Sequence, residues 1–116
     1  MQPTGPSYKS RRSNPRYKTR LRTLVRVGSN EFSCDLLDIS AGGAGLQTCP
    51  SLLHLAKKRE WHLEVPGFVT VPALRMWQIG SRVGLRFDIT AERRQSIATK
   101  LVALANTCDD VWLSED

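Results

Sequence analysis

Between Asp38 and Leu46 the sequence reads Asp38-Ile39-Ser40-Ala41-Gly42-Gly43-Ala44-Gly45-Leu46, with glycine at three of four consecutive positions. A backbone of this kind must adopt angles, or accept close neighbours, that a Cβ would forbid. If the lead-in is extended, the two-residue spacing puts Asp38 and Ser40 on one face and turns Ile39 toward a core. A carboxylate acceptor, a hydroxyl and open backbone N–H groups then gather at a strand end, a place suited to a polar ligand. The glycines do not form a phosphate loop of the Walker or Rossmann kind. Those open directly into a helix, and Gln47-Thr48-Cys49-Pro50 forbids a long one here.

The flanking sequence alternates with the period of strands. Leu21, Thr23, Val25 and Val27 share one face of a strand starting at Thr19, with Arg20, Arg22 and Arg26 on the solvated face. Gly28-Ser29-Asn30 turns the chain, and residues 32–39 return as a hairpin partner. A short strand over 46–48 is stopped by Pro50. Residues 51–58 fit a helical turn or a packed loop equally well. Trp61, Leu63 and Val65 then alternate with His62 and Glu64, Pro66-Gly67 turns, and residues 68–77 come back. Pro72 marks that strand as an edge, or as bulged there; Arg75 and Trp77 could reach a bound ligand from it, but Trp77 reads rather as partly buried packing. After Ile79-Gly80-Ser81, residues 82–87 close the β region with Val83, Leu85 and Phe87 inward and Arg82 and Arg86 outward. The period changes once. Thr90 is a natural N-cap, Glu92 suits the first turn, and Ile97, Leu101 and Leu104 recur at helical spacing over 91–106.

The pattern predicts an all-β domain with a C-terminal helix, a small barrel of five or six strands. Residues 1–15, rich in Pro, Ser, Gly and Arg, read as a flexible basic arm. Residues 16–106 form the barrel with its helix. Residues 107–116 form an acidic tail whose Val111, Trp112 and Leu113 could dock on the barrel or on a second protein.

Several function classes drop out. The chain of 116 residues suits one domain, and no apolar run approaches a membrane span or a signal peptide. Three cysteines at wide spacing, Cys34, Cys49 and Cys108, read as reduced thiols of a cytoplasmic protein. His54 and His62 stand alone, Ser40 is not in a nucleophile elbow, and no metal-ligand spacing occurs. A binding protein without catalytic activity, metal or cofactor is expected. Its charge is uneven: residues 1–30 hold eight Lys or Arg and no acid, while residues 31–116 hold nine basic and eleven acidic residues. Such a basic N-terminal segment points to an anionic partner there, the alternative being a solvated basic tail.

Arg11-Arg12-Ser13-Asn14-Pro15-Arg16 supplies guanidinium forks, which suit phosphate oxygens and the O6/N7 edge of guanine. Asp38 supplies an acceptor for guanine's N1–H and N2–H₂. One ligand class uses both, a guanine nucleotide carrying phosphates. Arg12-x-x-x-Arg16, followed one hairpin later by Asp38-x-Ser40-x-x-Gly43, resembles the PilZ domain family of cyclic di-GMP receptors. The likeness runs from about Arg11 to Phe87 and includes Trp77 and Val83-Gly84-Leu85-Arg86-Phe87. It implies a six-stranded antiparallel β-barrel plus one α-helix, with Arg12 and Arg16 closing over phosphates and guanines. It also implies that Asp38 and Ser40 bind the guanine edge and that Gly43 keeps the wall clear. Arg11, just ahead of the motif, would favour a stacked pair of ligands. Arg16-x-x-x-Arg20 fits the same motif; the Arg12/Arg16 register is preferred because Arg20 falls within the strand. The implied function is a cytoplasmic sensor that orders its arm on binding and signals through a downstream protein partner, in motility, exopolysaccharide or virulence control. The alternatives are a basic small-barrel nucleic-acid-binding module, disfavoured for want of an aromatic platform, and a PilZ-like adaptor without ligand.

Overall fold

A computed structural model describes residues 14–49, 52 and 59–114. Seven strands are present among the described residues: β1 (Tyr17–Val27), β2 (Asn30–Ile39), β3 (Gly43–Gln47), β4 (Glu60–Val65), β5 (Val69–Ile79), β6 (Arg82–Phe87) and β7 (Val111–Leu113). One helix, α1 (Ala91–Thr107), lies between β6 and β7. Every pairing is antiparallel, in the order β2-β3-β6-β5-β4-β1, and a β1–β2 pairing closes these six strands into a barrel. Closure removes the edges that an open sheet of this size would expose. The expected barrel with its C-terminal helix is the fold observed.

The hairpins turn where the sequence places glycine. Gly28, Gly67 and Gly80 all have φ between 60 and 76°, the left-handed region that the tight turns require. The core follows the alternation: Val25, Leu36, Leu46, Trp61, Leu63, Val71 and Val83 are each no more than 1% exposed. Thr90 caps α1 by accepting the N–H of Arg93, and Ile97 and Leu101 bury the inner stripe of the helix. The β1 arginines Arg22 and Arg26 lie on the outer surface, paired with Asp35 and Glu31 of β2.

Two expectations need correcting. The glycine segment is itself strand β3, starting at Gly43, so its backbone is committed to ladders with β2 and β6 and does not present open N–H groups. Pro72 does not mark an edge, because β5 runs between β4 and β6. Its carbonyl accepts from Asp88 N–H (2.9 Å) just beyond the end of β6, so the N–H that proline lacks faces the place where that ladder stops. The bulge in β5 comes later, between Arg75 and Trp77. Of the two docking places expected for the C-terminal segment, the barrel is the one taken: the segment forms β7 on the first residues of β1, burying Val111 and leaving Trp112 and Leu113 exposed. Leu52 is buried, while the question of a helix over residues 51–58 lies largely outside the described residues.

Candidate functional site

Four strands converge on one groove of about 560 Å³ on the outside of the barrel. Its floor follows from the register. Asp38 of β2 pairs with Gly45 of β3, Gly45 with Gly84 of β6, and Gly84 with Trp77 of β5. One cross-strand row thus runs carboxylate, glycine, glycine, indole. The two central positions carry no side chain of their own and are buried, because the Asp38 carboxylate lies beside Gly45 and the Trp77 indole covers Gly84.

Both walls depend on bulges. Cys34 and Leu36 point inward, and strict alternation would bury Asp38 as well. A register shift between Leu36 and Asp38 against β3 inserts one residue, so that Asp38 faces out and Ile39 faces in. On β5, inward alternation from Val71 and Ala73 would carry Trp77 into the core. The shift between Arg75 and Trp77 turns the indole outward, where it is 46% exposed. Trp77 is therefore a wall of the groove and not barrel packing.

The glycines answer to different neighbours. At Gly43 a Cβ would collide with the carbonyl oxygen of Leu85, so this glycine permits the close approach of β3 to β6 more than it clears a wall. At Gly45 a Cβ would lie 3.1 Å from both carboxylate oxygens of Asp38, and at Gly84 it would fall inside the Trp77 ring. Gly84 thus lets the indole lie flat on the strand.

Arg16, just ahead of β1, places Nη1 3.0 Å from Asp38 Oδ1. The Arg16 side chain is largely exposed, and an exposed pair is worth at most about 1 kcal/mol. A ligand can therefore rearrange it at little cost. Ser40 shapes the β2–β3 corner: its N–H donates to Gly43 O (2.8 Å) and its Oγ accepts from Gly42 N–H (3.2 Å). That leaves the hydroxyl proton available to a ligand. The corner is tied to β6 by Phe87 N–H donating to Gly42 O at 2.9 Å.

Of the residues anticipated from sequence, Arg16, Asp38, Ser40 and Gly43 meet at this groove. Arg11 and Arg12 lie outside the described residues. Arg20 does not reach the groove lining. Its guanidinium sits 4.6 Å from the Trp112 ring centroid and 3.5 Å from Asp110. Sequence reasoning missed Gly45 and Gly84 as the floor and Arg82 and Arg86 as lining residues. A glycine in the middle of a strand pattern, as in Val83-Gly84-Leu85, was the available signal.

The PilZ domain profile matches residues 10–104, most of the chain. The chain belongs to the PilZ domain family. Solved structures resemble this PilZ chain in fold. Bacillus subtilis inhibitor of motility (MotI/DgrA) matches with a TM-score of 0.58 and 14% identity over 93% of this chain and 54% of its own. The Klebsiella pneumoniae MrkH–c-di-GMP complex matches at 0.56 and 18%, over 92% and 55%. The Legionella protein Lpg0364 matches at 0.57 and 16%, over 78% and 94%. This PilZ chain therefore spans about half the length of the MotI and MrkH chains and nearly all of the Legionella one. A search of curated proteins found no match to the sequence. Among the described residues no helix is long and apolar enough to cross a membrane.

Proposed function

We propose that this PilZ chain is a cyclic di-GMP receptor that acts by binding, not by turnover, and passes the signal to a protein partner. The observation that carries the reading is the row that brings Asp38 and Trp77 into one groove, possible because Gly45 and Gly84 between them carry no side chains. A planar base can present its N1–H and N2–H₂ donors to the carboxylate and stack on the exposed indole. Base–aromatic stacking contributes about 1–3 kcal/mol. Ser40 adds a hydroxyl donor at the corner. Arg16 stands beside Asp38, where its fork can turn to a phosphate or to the guanine O6/N7 edge. Membership of the PilZ family supports the ligand, as does the solved complex of MrkH with c-di-GMP.

In this reading Arg11 and Arg12 close over the ligand from residues 1–15, ordering that arm and creating a surface for a downstream protein. The position of Arg20 on Trp112 and Asp110, away from the groove, favours the Arg12/Arg16 register. Calorimetric titration with cyclic di-GMP, beside GTP and a short single-stranded oligonucleotide, tests the reading. Selective binding of cyclic di-GMP is expected. An Arg12→Ala/Arg16→Ala variant and Asp38→Ala should each lose at least 10- to 150-fold in affinity, the cost of about 1.5–3 kcal/mol for one charged partner. No heat with cyclic di-GMP far above micromolar concentration would sink it.

A further inference from the structure

The arginines of β1 and those of β6 differ in their partners. Arg16, Arg20, Arg22 and Arg26, on or just before β1, each lie within 4 Å of a carboxylate. Arg82 and Arg86 on β6 have no side-chain hydrogen bond or ion pair among the described residues, and both are exposed. They are also the β6 lining residues that flank Gly84, two positions to either side of it on the same outward face. A strand rises roughly 3.3 Å per residue, so their Cα atoms stand about 13 Å apart, with the Trp77-covered glycine midway. The acid wall at Asp38 lies two strand spacings away, roughly 10 Å across the floor.

Two unneutralised forks therefore overlook one edge of the groove while Arg16 stands at the other. Resting on the cyclic di-GMP reading, we propose that Arg82 and Arg86 form a second anion-holding edge, gripping phosphodiester oxygens of the ligand from the β6 side. Forks suit this role because they offer two parallel N–H donors to one phosphate. The two glycines between the edges are what allow it. Side chains at Gly45 or Gly84 would stand between the two edges and keep a single ligand from touching both.

The test is titration of cyclic di-GMP into the wild type, Arg82→Gln, Arg86→Gln and the double variant, at low and high salt. Arg22→Gln, paired with Asp35 on the β1–β2 surface, serves as the control. All these positions are exposed, so thermal melts should coincide. Each β6 variant should bind at least tenfold more weakly and the double variant about a hundredfold. The double variant should also lose part of the salt sensitivity that screening imposes on the wild type. Arg82→Lys and Arg86→Lys, which keep the charge without the fork, should recover only part of the loss. Wild-type binding with the double variant within twofold of it would overturn the proposal and leave the receptor reading intact. Absence of wild-type binding would overturn both.

Discussion

A methyl group added at Gly43 would meet the backbone oxygen of Leu85, whereas one added at Gly45 would meet only the carboxylate of Asp38. A backbone cannot step aside but a carboxylate can, so the two substitutions should part company. Gly43→Ala should destabilise the barrel by about 1–3 kcal/mol, the usual cost of overpacking, seen as a lower midpoint in urea. Gly45→Ala should unfold close to wild type yet weaken cyclic di-GMP binding, because the displaced Asp38 can no longer hold both Arg16 and a base. Equal midpoints for the two variants would show that β3 and β6 can separate freely. Cys34 sits inside the barrel, 2% exposed, and burial, with the nearby Cys49 adding to it, pushes its thiol from 9.0 up to about 11. The native state holds this proton more tightly than the unfolded chain does. The stabilisation from keeping the thiol neutral is therefore complete below pH 9 and is lost as pH rises through about 11. Cys34→Ala should flatten that alkaline fall in thermal stability; an unchanged profile would assign the fall to other groups.

The hairpins were legible because their turns carry glycine at positive φ and their strands alternate. Asp38, Ser40 and Arg16 were legible because a short motif holds them. The bulges were not, since a register shift is a relation between two strands and leaves no mark in either alone. Simple alternation therefore placed Trp77 inside and left Arg82 and Arg86 as an ordinary wet face. β7 was illegible for another reason. Its three residues show no periodicity, and the strand forms because the first residues of β1 have a bare edge beside β2. It supplies a carbonyl from Asp110 to Arg20 N–H (2.9 Å), at the irregularity between Lys18 and Leu21 that leaves this N–H outside the β2 ladder. Val111 is buried, and the Arg20 guanidinium rests on Trp112. Removing residues 109–116 should cost about 2–3 kcal/mol from the buried valine alone. Trp112→Ala should cost only about 0.5–1 kcal/mol, as expected for an exposed cation–π contact. Denaturant titration of the two variants would reveal whether β7 is part of the cooperative fold; a truncation without effect would mean that it is not.

At the scale of the molecule, charge and topology bring the N-terminal and C-terminal segments to one corner. All eight basic residues of positions 1–30 lie in or ahead of β1, with no acid among them. The start of β1 is fixed twice. The Arg16 side chain is on Asp38, and its carbonyl accepts Ser114 N–H at 2.9 Å. A ligand drawing Arg16 and Arg12 over the groove would thus act on the residue that anchors both the arm and β7, placing any change within reach of a partner at that corner. Trypsin reads this directly, because its cleavage sites at Arg11 and Arg12 fall in the segment proposed to close. In the proposed mechanism, cyclic di-GMP slows cutting there at least tenfold at saturation, while GTP at the same concentration does not. Asp38→Ala should abolish the protection. Ligand that binds by calorimetry yet leaves cleavage at Arg11 and Arg12 unchanged would separate recognition from arm closure. Signalling would then have to run through the groove itself.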